Sequence, residues 1–156
     1  MWTWTIDLPD AEATRHWGQR LADALFPNAV VALIGPLGAG KTLLVRAVAE
    51  GLGLPDPRIV SSPTFGLIHE YPAKLPVYHF DVYRLRSPDE FADLGPEEYF
   101  SGGGVCLIEW ADKVASCLPA DHLRLRFEVT GPTSRRLHFE ALGPRHAACL
   151  AAMRGA

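Results

Sequence analysis

Apolar and polar positions divide the chain into short segments of two periods. Trp2-Thr3-Trp4-Thr5-Ile6 alternates, the period of a strand with one buried face. Asp10 is placed to cap a helix, and Trp17, Leu21 and Leu25 then recur at helical spacing up to Phe26. Ala29 to Ile34 is an unbroken apolar run, as expected of a strand covered on both faces. Lys41 to Leu52 reads as a helix that Gly51 or Gly53 ends. Thr64 to Tyr71 and Val77 to Tyr83 read as two strands, with Pro72 and Pro76 bounding a hairpin connection. A short helix starts at Ser87 or Pro88 and runs to Leu94, and a further turn covers Glu97 to Phe100. After a loop at Gly102-Gly103-Gly104 come a second buried strand, Val105 to Ile108, and a helix from Asp112 to Leu118. Alternation returns over Leu123 to Val129 and Leu137 to Leu142, and a helix from Arg145 to Met153 closes the pattern.

Continuous apolar strands followed by helices predict an α/β fold: a mostly parallel central sheet with helices on both faces. The later alternating strands predict an antiparallel flank. With 156 residues and no repeat, low-complexity tract or linker, one domain spanning residues 1–156 is expected. An apolar share of 48% and a charged share of 21% fit an ordinary globular domain. The longest apolar stretch, Ala29 to Ile34, is far too short to span a bilayer. No basic side chain precedes Asp7, so the start does not read as a secretory leader, and a cytoplasmic protein is expected. A net charge of −3 argues against direct nucleic-acid binding, which needs a basic face. Cys106, Cys117 and Cys149 share no metal-type spacing and read as reduced thiols, and no His-x-x-x-His pair suggests zinc.

The apolar run at Ala29–Ile34 is followed by Gly35-Pro36-Leu37-Gly38-Ala39-Gly40-Lys41-Thr42, which fits Gly-x-x-x-x-Gly-Lys-[Ser/Thr] in its proper strand–loop–helix context. Gly38 and Gly40 open backbone angles closed to other residues, so successive N–H groups can turn inward and bind phosphate oxygens at the helix N-terminus. Lys41 supplies charge at the β- and γ-phosphates, and the Thr42 hydroxyl can ligate Mg²⁺. The chain uses only three lysines against twelve arginines, so a lysine here is the less expected choice. This loop predicts nucleoside triphosphate binding and a P-loop NTPase fold.

Hydrolysis also needs a carboxylate near the metal and a group to position water. In open α/β sheets that carboxylate belongs at the C-terminal end of a buried strand beside the loop. Glu109, after Val105–Ile108, and Asp81, after Tyr78-His79-Phe80, both qualify. Either acid could instead cap a strand or pair with an arginine such as Arg84. His79 and Asp81 share one strand face, which is either a functional pair or the wetter face of an edge strand. Ser61-Ser62-Pro63-Thr64 is rich in hydroxyls and is either a plain turn or, given its place after the loop's helix, a segment sensing the γ-phosphate, with Thr64 the residue placed to make the contact. The one asparagine, Asn28, precedes the loop, so no Asn-Lys-x-Asp guanine reader exists, and no Asp-x-x-Gly occurs. ATP is therefore favoured over GTP. Residue chemistry alone leaves a small metabolite kinase or a nucleotide-dependent scaffold as rivals, although no arginine-rich lid segment is evident.

Taken together, these blocks resemble the TsaE family, small bacterial P-loop ATPases of tRNA threonylcarbamoyladenosine synthesis. The resemblance rests on Leu8-Pro9-Asp10 with Ala13-Thr14, on the phosphate loop, and on Ser62-Pro63-Thr64-Phe65. It rests also on Tyr78-His79-Phe80-Asp81-Val82-Tyr83-Arg84-Leu85 and Ile108-Glu109-Trp110, and fades over the last forty residues. It implies a slow Mg²⁺-dependent ATPase that acts on a TsaD–TsaB pair. That pair modifies adenosine 37 of tRNA, and the ATPase does not itself transfer the threonylcarbamoyl group. It implies that Thr42 and Glu109 bind Mg²⁺, that Thr64 and Asp81 serve hydrolysis, and that Trp110 walls the site. The segment around Ala11 and Thr14 would lie near the base. Two positions depart from the family pattern. Pro36 stands where an aspartate is usual and removes any role of that acid in placing water or metal. Leu43 replaces a second threonine beyond the metal ligand.

Overall fold

The computed structural model describes residues 2–61 and 68–155. Strands β1 (Trp2–Leu8), β2 (Val30–Ile34), β3 (Ile68–Tyr71), β4 (Val77–Asp81), β5 (Val105–Glu109), β6 (His122–Val129) and β7 (Arg135–Leu142) form one sheet of order β1-β7-β6-β2-β5-β4-β3. The centre is parallel: β2 lies between β6 and β5, and β5 pairs with β4. The β1–β7, β7–β6 and β4–β3 pairs are antiparallel. The mostly parallel centre with antiparallel flanks is thus the expected one.

Helices α1 (Ala11–Ala24), α2 (Lys41–Gly51) and α5 (Pro144–Gly155) cover one face. There Leu21, Leu44 and Leu150 pack on Val31, Leu33, Leu107 and Leu125 of the sheet. On the other face Val30, Ala32, Cys106 and Ile108 meet Phe91 of α3 (Pro88–Ala92) and Val114 of a 3₁₀ segment (Ala111–Cys117). A short helix α4 (Pro96–Phe100) adds Tyr99 and Phe100 to this side. Burial on both faces is why the central strands are continuous apolar runs rather than alternating ones.

Local signals set the helix ends. Asp10 caps α1 by accepting the Ala13 N–H at 2.9 Å. Helices α1 and α2 approach so closely that a Cβ built on Gly18 would stand 2.5 Å from the Ala47 Cβ. This contact lays the N-terminal end of α1 beside the start of α2. The predicted helix from Asp112 to Leu118 is instead 3₁₀, interrupted at Val114 (φ −126°, ψ 24°). A buried β-branched residue breaks it there, and Pro119 forces Leu118 into an extended conformation. Strand β4 is not an edge strand, since β3 and β5 flank it. The wetter-face reading of His79 and Asp81 fails for the same reason: His79 is fully buried. The three cysteines are free, and burial pushes the Cys106 thiol up to about 12 and Cys149 up to about 11. Among the described residues, no helix is long and apolar enough to cross a membrane, and no metal-type cluster of three or more His, Cys, Asp or Glu occurs.

Candidate functional site

Residues 35–40 join β2 to α2 at the C-terminal end of the parallel strands, so the first turn of α2 opens onto the loop. Gly38 (φ 78°) and Gly40 (φ 110°) occupy the left-handed region, which a side chain would disfavour. Gly40 caps α2 without a side chain, leaving the helix N-terminus open to an anion.

Lys41 is the first residue of α2 and is 4% exposed. Its ammonium donates to the carbonyls of Gly35 at 2.7 Å and Pro36 at 2.8 Å, and lies 4.2 Å from the centroid of the Trp110 ring. Burial pulls its pKa down, while the carboxylates of Glu109, Asp81 and Asp112 oppose the shift. A proton-bearing amine folded back on the loop is thereby held ready for a stronger anionic partner.

Glu109 ends β5 and is 3% exposed. The Thr42 hydroxyl stands 3.0 Å and 2.8 Å from its two carboxylate oxygens. The parallel register sets Asp81 directly beside Glu109, so two carboxylates share the strand ends. Burial raises the Asp81 pKa and the charge of Glu109 adds to it, against the Tyr83 N–H bond at 3.0 Å, His79 and Lys41. Two half-buried or buried acids with a hydroxyl between them and the phosphate loop form a hard oxygen donor set, which suits Mg²⁺.

Trp110 follows with φ 63° and ψ 33°, a left-handed conformation that costs a bulky residue on the order of 1 kcal/mol. The turn aims the indole under the Lys41 ammonium and 4.8 Å from the ring of Tyr83. On the opposite side of the loop a cavity of about 430 Å³ is lined by Asp10, Ala11, Thr14, Leu43, Thr133 and Arg135, with Gly38 to Gly40 as its floor. The structure therefore gathers Lys41, Thr42, Asp81, Glu109 and Trp110 on one side of the loop, with Ala11 and Thr14 on the other. Pro36 and Leu37 are exposed at its tip, and Ala39 is buried beneath it. Thr64 lies outside the described residues.

Two contributors, Tyr71 and Arg135, escape sequence reasoning, and a third, His79, was legible there only as a candidate partner of Asp81. His79 Nε2 meets Glu109 Oε2 at 2.6 Å, and its Nδ1 meets the Tyr71 hydroxyl at 3.1 Å. Arg135, on β7, donates to the carbonyls of Ala39 (3.1 Å) and Gly38 (3.2 Å) and so braces the phosphate loop. The strand-face pairing of His79 with Asp81 was the signal for the histidine. Tyr71 and Arg135 carry no local signal, because strand register and the β6–β7 turn bring them in.

A model of the family described as "Threonylcarbamoyl adenosine biosynthesis protein TsaE" matches residues 8–137. A tRNA threonylcarbamoyladenosine biosynthesis protein TsaE of Bacillus subtilis is 48% identical over 136 residues, covering 86% of this chain and 84% of its own length. The protein of that name from Treponema pallidum is 41% identical over 127 residues, covering 81% and 93%. The crystal structure of YdiB from Bacillus subtilis superposes with a TM-score of 0.81 at 35% identity, covering 99% of this chain and 96% of that one.

Proposed function

Because the chain belongs to the TsaE family of threonylcarbamoyladenosine biosynthesis proteins, we propose that it serves that tRNA modification as an ATP-binding and hydrolysing subunit. The observation that carries this reading is the Thr42–Glu109 pair, a hydroxyl and a buried carboxylate in contact at the foot of a phosphate-binding loop. ATP enters with its phosphates on the N–H groups of residues 38–42, its base toward the cavity beside Ala11 and Thr14, and Lys41 at the β- and γ-phosphates. Thr42 and Glu109 would hold Mg²⁺, which would supply charge neutralisation at the phosphates. Asp81, beside Glu109, orients the attacking water, and Thr64 contacts the γ-phosphate. Trp110 walls the site, its ring centroid 4.2 Å from the Lys41 ammonium.

The protein acts as one domain, in the cytoplasm, on a TsaD–TsaB pair that itself transfers the threonylcarbamoyl group to adenosine 37. Support for a protein partner lies at the mouth of the site, where Leu37 is 83% exposed and Tyr83 50%. Apolar groups displayed beside a nucleotide invite a surface that covers them. Contact with tRNA runs through the complex, in keeping with a net charge of −3.

Reconstitution of tRNA modification with TsaD and TsaB, with and without this chain, tests the proposal. Repeated turnover should require the chain and ATP. Lys41→Ala should lose nucleotide binding, and Glu109→Ala should keep binding but lose Mg²⁺-dependent phosphate release. Modification that proceeds equally well without the chain would sink the reading, and phosphate transfer to a small acceptor would replace it with a kinase.

A further inference from the structure

Glu109 makes more contacts than a metal ligand needs. One of its oxygens meets His79 Nε2 at 2.6 Å, and both groups are withdrawn from solvent, with exposures of 0% for His79 and 3% for Glu109. An ionised carboxylate only accepts, so Nε2–H donates, and this fixes which nitrogen faces the acid. The other nitrogen is engaged by the Tyr71 hydroxyl at 3.1 Å. That hydroxyl in turn lies 3.3 Å from the Ser61 carbonyl and 3.2 Å from His69 Nδ1. The result is a buried chain from Glu109 through His79 and Tyr71 to the backbone that follows α2. It crosses three adjacent strands, β5, β4 and β3, and of its side chains only Glu109 touches the phosphate loop, at Thr42.

We propose that His79, held in place by Tyr71, is the positioning residue that orients the Glu109 carboxylate toward the metal. The inference rests on the reading of Glu109 as a Mg²⁺ ligand. With two acceptor oxygens, an untied Glu109 could turn either one to Thr42 or to the metal. Tying Oε2 to a rigid, fully packed ring fixes the plane of the carboxylate and leaves Oε1, 3.0 Å from the Thr42 hydroxyl, without a histidine partner and available to the metal. The buried alternative, a carboxylate with no second donor, would bear a desolvation cost and a wider spread of orientations. Outer-shell partners of this kind tune metal affinity while leaving the nucleotide's own contacts untouched. The geometry therefore predicts an effect confined to the metal.

Calorimetric titration of ADP with and without Mg²⁺, and of Mn²⁺ into the ADP complex by electron paramagnetic resonance, separates these effects without measuring turnover. Wild type and Glu109→Gln first test the underlying reading: the metal should tighten ADP binding in the former and not in the latter. His79→Leu should then weaken metal affinity by roughly 10- to 100-fold, with metal-free ADP affinity unchanged. His79→Gln, whose amide N–H can reach the carboxylate, should recover most of that loss, and Tyr71→Phe should show a smaller loss of the same kind. If His79→Leu fails to fold, the Gln and Phe variants still decide. Should metal affinity in all the His79 and Tyr71 variants equal wild type while Glu109→Gln loses it, the positioning role is wrong and the metal assignment stands. A parallel fall in metal-free ADP affinity would also overturn it, because that marks general damage to the site. An absence of any metal effect in wild type, or one retained in Glu109→Gln, would remove the reading beneath it.

Discussion

His146→Leu should destabilise the protein most at neutral pH and flatten its acid unfolding. His146 lies near the start of α5, fully buried, and accepts the Val30 N–H on Nε2 at 3.0 Å. Its Nδ1 meets Asp121 Oδ1 at 2.7 Å, and Asp121 also accepts the N–H groups of Arg145 (2.9 Å) and His146 (3.2 Å). Val30 is the first residue of β2, the strand that delivers the phosphate loop, so this imidazole anchors the strand's far end. Leucine fills much of the space but leaves a buried N–H without an acceptor, at a cost of about 1–3 kcal/mol. The lost Asp121 bond adds about 1 kcal/mol, because that carboxylate is partly exposed and water replaces the donor. A total of about 2–4 kcal/mol lowers the thermal midpoint by roughly 4–16 °C for a domain of this size.

The pH dependence follows from the same bonds. Burial holds His146 below its ordinary value, with Asp121 opposing, and a proton on Nε2 would displace the Val30 bond. The unfolded chain binds that proton more readily, so stability is complete above about pH 6.5. It then falls as pH drops toward the folded value, by at most about 1.4 kcal/mol per pH unit for one histidine. His122, also lowered by burial, adds a slope of the same sign. Urea unfolding of wild type and His146→Leu from pH 8 to pH 5 measures both effects. A variant as stable as wild type at pH 8, or one with an unchanged slope below pH 6.5, would refute the reasoning.

Two further outcomes are expected. Asp81→Asn keeps the acceptor for the Tyr83 N–H but removes a carboxylate whose pKa burial and then Glu109 hold above the ordinary value. Ionised Asp81 therefore costs stability as pH rises through its folded value, so the variant should unfold at higher urea near pH 7.5 without metal, while phosphate release falls by roughly 10²-fold. Gly18→Ala forces a Cβ against Ala47 at 2.5 Å and Leu44 Cδ1 at 3.2 Å, and should lower stability by about 1–3 kcal/mol in the same assay.

The chain itself determines whatever is local. Eight consecutive residues, Gly35 to Thr42, specify the phosphate loop because glycine angles, the following helix start and the lysine and threonine all act within a few bonds of one another. Unbroken apolar runs at β2 and β5 likewise specify central strands, since burial on both faces leaves no polar alternation to write. Asp10 as the α1 cap was legible for the same reason.

Tertiary structure decided the neighbours. Periodicity tells which face a residue takes but not what lies across from it, so the residue pattern offered both Glu109 and Asp81, and only the family resemblance gave them separate roles. Register makes them different. Pairing of β5 with β2 carries Glu109 to Thr42, while pairing with β4 sets Asp81 alongside and brings His79 onto Glu109 Oε2, an oxygen that Thr42 also touches. The cavity beside the loop likewise joins the start of α1 to Thr133 and Arg135, segments more than a hundred residues apart that meet only because β7 pairs with both β6 and β1. A loop that grips phosphate can be encoded in one stretch of backbone. Two carboxylates with separate environments require three strands in one alignment, and only the packed sheet fixes that alignment.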